Sequence, residues 1–168
     1  MALTKVLEGG IADDAVGNTK LDLSENYAFT GNITGSGKII QALSTIESTQ
    51  VLITSTSYVT TGIAQAITPK LSSSKILIIA NMNTYKGSTN FAKFAVYRDS
   101  TLLGVSDHGM GEFSDLAAGG VFTTVSCFDS PSSTSAITYT IYGKVNTSNV
   151  YVQPNNVEGS ITVMEIGQ

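Results

Sequence analysis

At 168 residues the chain has room for one ordinary domain and a short appendage. Charged residues make up only 13% and the formal net charge is −4 with no Lys- or Arg-rich run, which excludes a basic surface for nucleic acid or an anionic membrane. Twenty Ser and 21 Thr take the place of ions, and such a surface suits β-strands better than exposed helices.

Residues 1–36 carry spaced apolar anchors: Leu3, Val6, Leu7, Ile11, Val16, Leu21, Leu23, Tyr27 and Phe29. A short helix over residues 12–16 would place Asp13 and Asp14 near its N-terminus, where acidic groups are favoured. Nothing in this stretch can close a core by itself. Its apolar side chains need another surface, so it is predicted to be an attachment and oligomerisation segment. No window approaches the ~18 apolar residues of a membrane span, and no secretory leader is visible. The expectation is synthesis in a host cytoplasm with no membrane insertion.

Gly31, Gly35 and Gly37 punctuate the boundary, and residues 37–168 read as a separate β-domain. Strands are predicted over 38–46, 51–61 and 63–69, the last ending at Pro69. Residues 75–85 form the clearest strand, with Ile76, Ile78, Ala80 and Met82 on one face and Leu77 and Ile79 on the other. A hairpin follows over 91–105, turning at Asp99 and Ser100. Residues 106–120 read as a long Gly-rich loop. Further strands are predicted over 121–128, 136–145, 149–152 and 160–166. About eight strands with frequent turn signals predict an all-β, antiparallel, jelly-roll-like sandwich.

Few residues form a chemical constellation. Gly35-Ser-Gly-Lys38 misses the phosphate-loop spacing, because Asn32 stands where that motif needs Gly and Ile39 where it needs Ser or Thr. The single histidine, His108, has Asp107, Glu112 and Asp115 nearby, which is too few fixed ligands for zinc. Those acids and Asp129 offer no pair whose spacing marks a glycosidase. Cys127 is alone and reads as a small core hydrophobe. Asn32-Ile-Thr34 and Asn146-Thr-Ser148 match the glycosylation pattern by chance in a hydroxyl-rich chain. The seven tyrosines are expected to bridge core and rim rather than to form a contact surface. No enzyme activity, cofactor or metal is predicted.

The stretch from Gly10 to Gly35, with Gly10-Ile-Ala-Asp-Asp-Ala-Val16 and Asn26-Tyr-Ala-Phe-Thr-Gly31, resembles the N-terminal part of tail fibres and related structural proteins of tailed phages. The second half is similar to the same group at Ile67-Thr-Pro-Lys-Leu-Ser-Ser-Ser-Lys-Ile-Leu-Ile78, at Tyr97-Arg-Asp-Ser100, at residues 128–139 and at Ile161-Thr-Val-Met-Glu-Ile166. The resemblance implies a short homotrimeric tail fibre in the virion. Its N-terminus would fasten to the baseplate or tail, and its β-domain would face a glycan or protein of the host surface. Loop residues chosen as receptor contacts are Tyr85, Lys86, His108, Glu112, Tyr151 and Asn155. A capsid decoration protein is the first alternative reading, and a glycan-active enzyme the second.

Overall fold

The computed structural model describes residues 37–86, 90–115 and 119–168. The predicted attachment segment, with Leu3, Val6, Leu7, Ile11, Val16, Leu21 and Leu23, lies outside the described residues, as does the helix expected within it.

Eleven strands are described: β1 (Ile39–Glu47), β2 (Val51–Ile53), β3 (Val59–Ile67), β4 (Lys75–Lys86), β5 (Asn90–Arg98), β6 (Thr101–Leu103), β7 (Gly111–Asp115), β8 (Gly119–Asp129), β9 (Ile137–Val145), β10 (Val150–Val152) and β11 (Gly159–Ile166). They form two antiparallel sheets packed face to face, the sandwich that the alternating apolar pattern predicts. In the first sheet β4 is central. Along one side it pairs with β11 and then β10, which are flanked by β1 and β2. Along the other side it pairs with β8 over its whole length. In the second sheet β9 joins β3 to β5, and the far side of β5 is covered by β7 and β6 in succession.

Period-two alternation builds the core. Ile76, Ile78, Ala80 and Met82 of β4 point inward with Ile161 and Val163 of β11, and they meet Phe94, Val96, Tyr139 and Ile141 of the second sheet. Each fully buried Ile or Val contributes ~1.5–3 kcal/mol of transfer free energy, so these rows decide which face turns inward. Gly143 is required by close packing. A Cβ there would stand 2.7 Å from Ile53 Cδ1 and 2.9 Å from the Phe94 ring.

Three strand boundaries differ from expectation. The strand predicted over 51–61 breaks because the Ser55 hydroxyl donates to Ser57 O at 2.7 Å and accepts the Ser57 N–H at 3.0 Å, closing a local turn. The predicted gap at Gly62 is instead continuous strand. Gly62 adopts a φ of 83° inside a register shift between Thr60 and Ala64, which is a bulge rather than a chain break. The 106–120 loop contains β7, which pairs with β5.

Two carboxylates face inward from one row, on either side of Ile76. Asp129 accepts two hydrogen bonds from Arg98 Nη1, at 3.0 and 2.9 Å, and one from the Tyr139 hydroxyl at 2.7 Å. Glu165 is fully buried and accepts the Lys70 N–H, the Leu71 N–H at 3.1 Å and Gln41 Nε2 at 2.6 Å.

Candidate functional site

The alternation that fills the core also fixes what the first sheet shows to solvent. Register sets Tyr85 beside Tyr151, Tyr151 beside Leu52, and Asn83 beside Phe122. The Tyr85 and Tyr151 rings lie 6.5 Å apart, tilted by 44°. Phe122 projects from β8 and is 63% exposed.

A turn after β10 walls in this floor. Gln153, Asn155 and Asn156 have φ values of 48°, 57° and 59°, left-handed conformations that Asn tolerates better than most residues. The strained turn is pinned from β2's flank: Gln50 Oε1 accepts the Asn155 N–H at 2.8 Å, and Asn156 Oδ1 accepts the Gln50 N–H at 3.3 Å. Beneath it, buried Gln153 donates through Nε2 to Glu47 O at 3.2 Å. The groove between turn and sheet has a volume of about 560 Å³, a size that suits a small ligand. Gln50, Asn83, Tyr85, Phe122, Tyr151 and Asn155 line it, and among the described residues no charged side chain does. Its chemistry is that of rings able to stack and amides able to donate and accept.

The structure therefore brings together three of the residues chosen from the sequence, Tyr85, Tyr151 and Asn155. It separates the others. Lys86 is a correction: it continues the inward phase of β4 and is 2% exposed, so it is not a loop contact. The alternation through Ile76, Ile78, Ala80 and Met82 already carried that signal, had the strand been extended by one residue. Tyr85 and Tyr151 also sit in strands rather than loops.

His108 and Glu112 belong to the second sheet's surroundings. Lys93 Nζ lies 3.2 Å from Glu112, with His108 Nε2 4.0 Å from the same carboxylate. A second hollow of about 320 Å³ is lined by Lys93, Asp107, His108 and Lys144, among others. Beside it Tyr97 packs on Tyr142 at 4.2 Å and on Tyr58 at 6.0 Å, while Lys144 Nζ sits 4.6 Å above the Tyr58 ring. Burial first, then the neighbouring Tyr97, Asp107 and Glu112, push the Tyr58 hydroxyl up to about 12. Lys93 pairs with Glu112, and Lys144 donates to the backbone carbonyl of Ser106 at 3.1 Å.

Gln50, Asn83 and Phe122 were not singled out from the sequence. Phe122 had a usable signal, an aromatic ring in the outward phase of a strand. Gln50 and Asn83 had none, because only the tertiary fold brings them to the turn. Cys127 is half-buried, and burial, then Asp129, raises its thiol to about 11, so it stays a neutral thiol at ordinary pH. Among the described residues no group of three or more His, Cys, Asp and Glu could hold a metal ion. Of those residues, no helix is long and apolar enough to cross a membrane.

No protein-family model matches the chain, and no curated protein matches it. The reading of the groove rests on its own geometry.

Proposed function

We propose that this chain is a structural component of a tailed-phage particle, a short fibre fastened by residues 1–36 that turns the groove of its β-sandwich toward the host surface. The resemblance in the two halves of the sequence supports the role. The observation that carries it is the groove: Tyr85, Tyr151 and Phe122 offer ring faces, flanked by the amides of Gln50, Asn83 and Asn155, with no charge in the lining. Such a surface recognises a ligand through stacking and hydrogen bonds. Hydrolysis of a glycosidic bond would call on paired carboxylates, and the groove offers amides and hydroxyls in their place. Binding is the chemistry this lining supplies.

Gold-labelled antibody against the sandwich, applied to intact particles, tests the position. Label on the tail supports a fibre. Label confined to the head faces would replace it with a capsid decoration protein, and unlabelled particles would remove the chain from the virion. The groove is tested with Tyr151→Ala in purified full-length protein. Its binding to host cells is expected to fall about tenfold, the loss of one aromatic anchor worth ~1.4 kcal/mol. Undiminished binding by that variant would move the contact elsewhere.

A further inference from the structure

Sheet edges are where a β-protein invites other chains, and most edges here are defended. Among the described residues, the edge strand β1 has a register shift between Ile39 and Gln41. The edge strand β3 has its bulge between Thr60 and Ala64. At the remaining flanks β2 and β6 are three residues long and β7 five. Strand β8 is different. It runs 11 residues in unbroken register with β4, and among the described residues nothing pairs with its outer side. It has no Pro, no Lys and no bulge. Its one charged residue, Asp129, stands at the last position and turns inward to Arg98. Phe122 and Phe128 both point outward and are each 63% exposed.

The spacing of those two rings names the occupant. In an antiparallel ladder, directly opposed residues direct their amides the same way, so a twofold axis between two copies of one strand passes at a residue, not between two. Phe122 and Phe128 are equidistant from Val125. A twofold at Val125 sets Phe122 of each copy opposite Phe128 of the other and pairs Thr124 with Ser126 and Thr123 with Cys127, over residues 121–129. Moving the axis by one residue either way sets a Phe against Ser126 or Thr124 and loses both aromatic pairs. Aromatic cross-strand pairs are among the favourable ones in a sheet.

We infer that β8 is a self-pairing edge: two copies join β8 to β8 about Val125, fusing two six-stranded sheets into one. This reading goes beyond the proposed fibre role and does not rest on it. The contact is isologous, so it assembles copies in even numbers, unlike the threefold that the fibre resemblance implies.

Three measurements on the full chain test it. Light scattering is expected to give an even number of copies, and a single-copy or three-copy species would overturn the inference. Thr123→Cys places a thiol opposite the native Cys127 of the second copy, where opposed Cβ atoms stand ~4.5–5.5 Å apart, so a shift of about 1 Å brings them within the ~3.5–4.5 Å that a disulfide spans. Within one strand the same two positions are ~13 Å apart and cannot. Under a mild oxidant the variant is expected to run at twice the chain mass on a non-reducing gel, and Thr123→Cys with Cys127→Ser is expected not to. Absence of that band, or its survival in the double variant, would overturn the register; so would residues 1–36 of the same chain lying along β8, since no band would form. Finally, Phe128→Lys, which leaves the groove untouched, is expected to halve the mass while the circular dichroism spectrum and cooperative melting persist. An unchanged mass in that folded variant would also overturn the pairing.

Discussion

Asp129 and Glu165 look into the same core from either side of Ile76, yet they are stabilised in different ways. Asp129 meets a full positive charge and a hydroxyl, both from the second sheet: Arg98 on β5 and Tyr139 on β9. Glu165 instead accepts from two backbone amides and one side-chain amide, from the 70–71 turn and from β1. The first carboxylate ties sheet to sheet. The second ties a loop and an edge strand to their own sheet. A charge can thus be buried in a charge-poor protein either by an ion pair or by a cradle of N–H donors, and the choice follows from what must be held.

Removing the ion-paired group is expected to have the largest effect. Asp129→Ala leaves Arg98 and Tyr139 without their shared acceptor, and the expected loss is about 3 kcal/mol by urea unfolding. The Arg98 side chain is 26% exposed, which holds the figure at the lower end for a broken buried pair. An unchanged midpoint would mean that the two sheets need no polar clasp. Glu165→Gln comes next, with an expected loss of about 2 kcal/mol, because donors reach both carboxylate oxygens and an amide keeps one neutral acceptor and turns an NH2 toward the others.

Acid sharpens the same contrast. Burial pushes the Glu165 carboxyl up, but the Lys70 N–H, the Gln41 amide, the nearby Ser74 hydroxyl and the Leu71 N–H outweigh it and hold the group below its ordinary value of 4.5. A carboxyl lowered on folding stabilises the protein fully above its unfolded value, and that contribution fades as pH falls through the folded one. Wild-type melting temperature is therefore expected to drop as pH falls below about 4.5, with a shallower drop in Glu165→Gln. Parallel acid curves for the two would show that the cradle does not hold a carboxylate. The smallest change is Gln41→Ala, which removes one donor to Glu165 and one to Thr68 O, at about 1 kcal/mol in the same unfolding assay.

Much of the sandwich was legible because burial writes period two into the chain. The strands at β4, β9 and β11 needed nothing but the positions of Ile, Val and Tyr. Short-range hydroxyl chemistry was less visible. The Ser55 turn that parts β2 from β3 competes with strand formation through one side chain, and β-propensity does not register it. Strand β7 was hidden because Gly111 and Glu112 carry no alternation, and its pairing with β5 comes from the tertiary fold. At the groove, tyrosines near strand ends drew attention to Tyr85 and Tyr151. Its amide wall depends on a Gln50 to Asn155 contact across 105 residues, and no local pattern announces it.

The uncharged lining of the groove bears on the conditions under which it would hold a ligand. Ring faces and amides present no counterions to release and no field for dissolved ions to screen. A ligand stacked on Tyr85 and Tyr151 is therefore expected to be held about as firmly in fresh water as at ordinary salt.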